Sequence, residues 1–282
     1  GVFRNGMEPE IGKHPTEFYG HPYFDESDEA EGAREAEYCP FQDKRCTKRR
    51  KSDNDVTIGT CSVGYRGRGQ SEYRPHVICP DRFDDDAVFE PLEPLFIDEG
   101  QLFRVPEVTL MGTSIDYVSG KVDKHGNVID FAGVEVQAID TTGSVWEHKK
   151  NYENGEDIED VESSYGMNWA MSITKTMMQQ AFKKGQAFNE WDENIIFLIQ
   201  DVSLDYLRSN ANTSQLEGAK EENPVHFYSY SLEYNYDTTS YEWELDEKVS
   251  TDLEGVSQMM DSDENEPIPT KDDFKEDIKQ KF

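Results

Sequence analysis

The sequence predicts an α/β fold, a mixed β-sheet flanked by helices, preceded by a small N-terminal four-cysteine metal module. Three observations point there. Strand-like runs cluster at 107–111, 113–122 and 127–139; a helical pattern and then a nearly continuous apolar segment follow over 163–200; and all four cysteines lie between positions 39 and 79. The expected organisation is an N-terminal arm and cysteine module over 1–90, a larger core over 91–255 and an acidic C-terminal tail over 256–282.

In chain order, residues 1–38 are polar and rich in Gly, Pro and Glu, and only Glu17–Phe18–Tyr19–Gly20–His21–Pro22 looks ordered by its aromatics. The rest of the arm is expected to wrap or fray. Cys39, Cys46, Cys61 and Cys79 sit in the strings CPFQDKRC, GTCSV and VICPDR. Four thiolates close one tetrahedral site, for which zinc and iron are both suitable, and a module this small needs such a staple. Two disulfides or buried free thiols are the alternatives. Without a visible secretory signal, metal is the favoured reading.

Pro91, Pro94 and Pro106 mark the passage into the core, where the three strand-like runs form a meander. From Ser163 to Phe182 the period becomes helical, with Trp169, Ile173 and Met177 four apart and Gly185 as a stop signal. Asn194–Gln200 is the expected central strand, apolar on both faces, and Val202–Arg208 a short helix. Over Val225–Tyr236, the residues Tyr228, Tyr230, Leu232, Tyr234 and Tyr236 share one face of a strand that turns at Asp237–Ser240 into Tyr241–Leu245. Residues 261–282 suggest a loose tail.

The net charge of −31 is awkward for any phosphate-binding function, yet it is unevenly spread. Residues 1–82 carry 13 Lys and Arg against 15 Asp and Glu, a net of −2; residues 83–282 carry 15 against 44, a net of −29. The cysteine module also holds the only dense basic run, Lys44, Arg45, Lys48, Arg49, Arg50 and Lys51, with Arg66, Arg68 and Arg74 behind it. These nine are the candidate DNA contacts, and a solvated loop is the plainer alternative. The acidic body suits a high-salt host. No stretch of 18 apolar residues or leader pattern occurs, which suggests a soluble intracellular protein with no membrane partner.

The chemistry lies in the meander. A two-residue turn at His125–Gly126 makes paired residue numbers sum to 251, so Asp116 falls opposite Glu135, and Gln137 shares the face of Glu135. A turn near Gly112 brings Glu107 diagonal to Asp116. Unpaired, Asp116 and Glu135 repel each other, so Asp116→Asn or Glu135→Gln is expected to leave the metal-free fold intact or slightly more stable. A divalent cation removes that repulsion, and three acids plus an amide oxygen suit one or two magnesium ions that activate water for phosphodiester hydrolysis. The plain alternative is a solvated acidic sheet face.

With EFYGHP at 17–22, CPF at 39–41, GTC at 59–61, VICPDR at 77–82, SIDY at 114–117, VEVQAIDTTGS at 134–144 and the helix around 168–184, the sequence resembles the NotI-type restriction endonucleases across most of residues 15–250. The resemblance implies a homodimeric type II enzyme with a PD-(D/E)xK nuclease core, cutting palindromic double-stranded DNA with Mg2+ inside a prokaryotic cell. It also implies an appended module whose cysteines hold iron. The family's active-site acids match Glu107, Asp116 and Glu135, and Gln137 stands where most such nucleases have Lys, as it does in this family. The chain departs from the pattern in its acidity and after about residue 255. A non-catalytic metal-stabilised DNA- or protein-binding module, and a monomeric nicking or repair nuclease with the same core, are the competing readings.

Overall fold

The computed structural model describes residues 10–50, 53–67, 70–162 and 164–261, with positions 270, 271, 275, 278 and 279 near the C-terminus. Lys51, Arg68 and most of the expected loose tail lie outside the described residues. A seven-stranded mixed sheet forms the core, in the order Glu217–Gly218, Ser240–Thr251, Val225–Asn235, Asn194–Gln200, Val128–Gln137, Thr113–Val122, Gln101–Leu110. Asn194–Gln200 is central and runs parallel to both neighbours, with Phe197 between Glu135 and Phe227; the outer pairs are antiparallel. Parallel pairing needs a crossover on each side. Helix Met178–Glu190 supplies the first and helix Asp201–Asn210 the second.

The sheet is covered on both faces, which explains the unbroken apolar run of the central strand. Ile195, Phe197, Ile199 and Phe227 pack with Met177, Met178, Ala181 and Phe188 of the helical layer. On the opposite face Val134, Ile196, Leu198, Tyr228, Tyr230 and Leu232 meet Phe83, Val88, Leu92 and Trp243. The expected tyrosine face is thus largely core, with the Tyr230 hydroxyl donating to the Val88 carbonyl at 2.7 Å. Tyr236 lies beyond the strand, half exposed.

Three expectations need correcting. The helix does not stop at Gly185: a π-helical stretch, Ala170–Met177, leads into an α-helix that continues to Glu190. Gly185 is there because the helix approaches the sheet closely, and a Cβ at this position would lie 2.8 Å from Val225 Cγ2. Residues following 255 are not all tail, since helix Leu253–Met260 buries Val256 and Met259 against the same layer. The arm is structured over its described part as well, with helix Asp28–Glu35 capped by the Ser27 hydroxyl and burying Ala30 and Ala33.

The cysteine region is built on a four-stranded sheet of His21–Pro22, Pro15–Phe18, Thr60–Tyr65 and Arg74–Val77. It is keyed to the core by buried polar contacts. The Gln200 amide, at the end of the central strand, accepts from Val77 N at 2.9 Å and donates to Pro75 O at 2.7 Å. Arg82 joins Glu17 at 3.1 Å and donates to the Tyr241 carbonyl at 2.6 Å, all buried. Such groups are tolerated inside only when their bonds are made, and here they fix the cysteine region against the seven-stranded sheet.

Candidate active site

The hairpin carrying Asp116 and Glu135 keeps the expected register by an unexpected route. The turn spans Asp123–Asn127 and not two residues: Asp123 Oδ1 accepts from His125 N and Asn127 N at 2.8 and 2.9 Å, and Gly126 takes the left-handed φ of 83° that glycine tolerates. A bulge beside Val122 absorbs the difference. From Lys121↔Asp130 to Tyr117↔Val134 the paired numbers sum to 251, so Asp116 arrives beside Glu135. There the Asp116 carboxylate takes over a ladder position, accepting from Val136 N at 2.9 Å.

Glu107 is directly across from Asp116 and not diagonal to it. The second hairpin turns at Met111 and Gly112, both with positive φ, and its flanking pairs Ile115↔Val108 and Tyr117↔Pro106 leave Glu107 opposite Asp116. Glu107 is exposed, follows a proline that has no N–H to donate, and holds a φ of 54°. That conformation costs a non-glycine residue about 1–2 kcal/mol.

Sequence reasoning missed Lys184. It is on the buried face of helix Met178–Glu190, almost wholly enclosed, and its Nζ donates to Glu135 Oε1 at 2.5 Å and to the Ser114 carbonyl at 2.7 Å. A signal existed, because Ala181, Lys184, Gly185 and Phe188 form one apolar stripe in which a lysine is out of place. Burial pushes Glu135 up to about 7, the Asp116 charge adds to this, and Lys184 opposes it. Asp116 is also raised, first by burial; the Val136 N–H and Lys184 work against the rise and Glu107 with it. Gln137 is half-buried, its amide nitrogen donating to the Ala138 carbonyl at 2.6 Å.

As these side chains stand, no group of three or more His, Cys, Asp or Glu among the described residues is close enough to hold a metal ion. The donor chemistry of the hairpin still fits a hard cation. Two partly desolvated carboxylates side by side, disfavoured when both ionise, are the oxygen pair that magnesium relieves. All four cysteines are buried free thiols. Burial raises Cys39, Cys61 and Cys79, the last to about 12, and the neighbouring thiols add to each: Cys46 to Cys39 and Cys79, Cys79 to Cys61. Cys79 N also donates to the Cys61 carbonyl at 3.2 Å. As placed, the four thiols do not form a group that could hold a metal ion.

The basic run divides by partner. Arg45 and Arg49 share Glu37 at 2.5 and 4.0 Å, Arg74 pairs with Asp201, and Arg66 stacks on Tyr73. Arg50 lies over the Trp146 ring at 4.7 Å. With Lys48 it lines a groove of about 700 Å³ whose other walls include Cys79, Asp140, Thr141, Ser144 and Asn168. Asp140 comes three positions after Gln137, so this groove opens beside the end of the Glu135 strand. Lys44 is exposed at the module's edge.

A family model described as Restriction endonuclease NotI matches residues 28–242, about three quarters of the chain. The chain belongs to the NotI restriction endonuclease family. No individually curated protein matches it. The matched segment holds all four cysteines, both acidic hairpins and the Lys184 helix, but begins after the EFYGHP string. As a NotI-family type II restriction endonuclease, the protein is a site-specific deoxyribonuclease acting on double-stranded DNA. Among the described residues no helix is long and apolar enough to cross a membrane.

Proposed function

We propose that this restriction endonuclease hydrolyses phosphodiester bonds with magnesium held by Asp116 and Glu135, with Glu107 as the third acid and Gln137 beside them. The observation that carries this reading is the cluster of Asp116, Glu135 and Lys184, in which one carboxylate is buried to a pKa of about 7 beside another. Bound there, magnesium would supply a water of lowered pKa and charge neutralisation at the phosphate. The protein's own share is positional. Asp116 is fixed by Val136 N, Glu135 by Lys184, and the Gln137 amide oxygen can orient water but carries no charge. Glu107, strained and solvent-facing, has the freedom to close on an ion from the open side.

The protein acts as a homodimer inside a prokaryotic cell, each subunit cutting one strand, and its four cysteines hold iron, with zinc as the nearest substitute. Lys44, Arg45, Lys48, Arg49, Arg50, Lys51, Arg66, Arg68 and Arg74 position phosphates, with Lys48 and Arg50 the best placed. Digestion of DNA of known sequence tests the whole reading. Discrete fragments that require magnesium and disappear with Asp116→Asn support it. Retention of a DNA site without cutting favours a binding protein, and single-strand nicks by a monomer favour a nicking enzyme.

A further inference from the structure

The residue two positions after Glu135 is Gln137, a neutral amide, so the strand that carries the acids contributes no positive charge to the site. Phosphodiester hydrolysis builds negative charge on phosphorus-bound oxygens in the transition state, and a fixed cation aimed there is among the strongest aids a site can offer. An ammonium group does lie against the acidic pair. Lys184 reaches Glu135 Oε1 at 2.5 Å and the Ser114 carbonyl at 2.7 Å. It comes from a helix facing the sheet, with its neighbours Ala181, Gly185 and Phe188 packed around the same stripe. Burying a lysine among apolar residues is costly, and a methionine of similar length would fill the stripe without that cost. The expense is understandable if the charge is used.

We infer that Lys184 is the cation of this active site, delivered from helix Met178–Glu190 in place of the lysine that the Gln137 position lacks. It is a positioning residue acting through Glu135: its ammonium fixes one carboxylate oxygen, which turns the other toward Asp116, and adds positive charge at the reacting centre. The two hydrogen bonds divide these tasks, since the Ser114 carbonyl holds Nζ in place even when Glu135 turns to an ion. The inference rests on the proposed assignment of Asp116 and Glu135.

The test uses the full-length protein and two substitutions. Lys184→Gln keeps a donor for Glu135 and Ser114 but removes the charge, whereas Lys184→Arg keeps the charge in altered geometry. Single-turnover cleavage by Lys184→Gln is expected to fall about 100-fold, with Lys184→Arg recovering at least about tenfold of that. DNA affinity measured with calcium is expected to stay near wild type in both, and Mn2+ binding measured by electron paramagnetic resonance to persist, because Lys184 is not an ion ligand. The melting temperature is expected to fall in Lys184→Gln, which leaves buried Glu135 without its cation, and less in Lys184→Arg. Cleavage by Lys184→Gln within about threefold of wild type overturns the inference. So does collapse of the fold or of Mn2+ binding in both variants, which makes Lys184 a structural brace. Asp116→Asn run alongside separates the two levels: if it cuts normally, the metal-site assignment has failed; if it is dead while Lys184→Gln is active, only the role of Lys184 has.

Discussion

Asp116→Asn and Glu135→Gln, expected from sequence to behave alike, should both stabilise the metal-free protein at high pH, but by different amounts. Carrying a buried carboxyl from 4.5 to about 7 means that ionised Glu135 costs the fold about 3 kcal/mol. The sign follows from linkage. The native state holds this proton to higher pH than the unfolded state, so the contribution is intact below pH 4.5 and is lost as pH rises through 7. Asp116 is the second cause of the rise after burial, and Asn can still accept from Val136 N. Asp116→Asn should therefore gain about 1 kcal/mol at pH 8 in chelator. Glu135→Gln removes the whole ionisation cost, which already includes the Lys184 attraction, and Gln can still accept from Nζ. Its net effect should be a gain of about 3 kcal/mol at pH 8. Both differences should shrink toward pH 5 as Glu135 protonates. His76, lowered to about 4 by burial, works the other way as pH falls from 6.5, but it is common to all three proteins and cancels. Urea titrations in chelator at pH 5 and 8 read these values, and magnesium-dependent cleavage should fall at least about 100-fold in both variants. A loss of stability on Glu135→Gln at pH 8 would refute the cost assigned to ionised Glu135, and cleavage at wild-type rate by Asp116→Asn, free of host nuclease, would defeat the metal assignment.

Elemental analysis should find about one iron or zinc per chain, with Cys46→Ser or Cys61→Ser losing the metal and unfolding the module. Because burial raises the Cys39, Cys61 and Cys79 thiols in the metal-free protein, loading should release protons and weaken as pH falls; a metal-free protein with two disulfides by mass would contradict this. Neutralising Arg49 and Arg50 together should weaken binding to all DNA sequences alike and lower the salt slope, by about one if only Arg50 touches phosphate; loss confined to the cognate site would make them base readers. Gln200→Leu should cost about 2–4 kcal/mol by leaving Val77 N and Pro75 O unpaired in the core, and a urea midpoint unchanged from wild type would show that the module is not anchored there.

The parts of this fold that follow from local period were legible in the sequence. The central strand, the Tyr228–Leu232 face and the Asp116–Glu135 register all depend on alternation, which survives small errors in turn length because a bulge restores the phase. What depends on a distant partner was not legible. Gly185 is a helix breaker by local propensity and a close-packing residue only in view of Val225. Glu107 is an ordinary strand acid until its backbone is seen at positive φ. The basic run, which suggested an open DNA-binding surface, is largely engaged with Glu37, Asp201 and aromatic rings. Lys184 lay between these cases: its place in an apolar stripe was visible, but its partner was 49 positions away.

The placement of its cations indicates how an acidic enzyme can meet DNA. In the core, Lys184 is committed to Glu135, Lys121 to the Phe96 and Asp98 carbonyls, Lys248 to the Pro91 carbonyl and Arg208 to Glu247. None of these offers a free positive surface, and 44 acids against 15 basic residues over 83–282 make that part of the molecule repel phosphate. The module is nearly neutral by comparison, and its Lys48 and Arg50 line a groove that opens beside the Glu135 strand. Repulsion elsewhere and attraction at that groove would orient the duplex before any base is read, with the scissile phosphate arriving over the paired carboxylates. On this view the acidity contributes to docking by excluding wrong approaches, and its effect should be strongest at low salt, where charges are least screened.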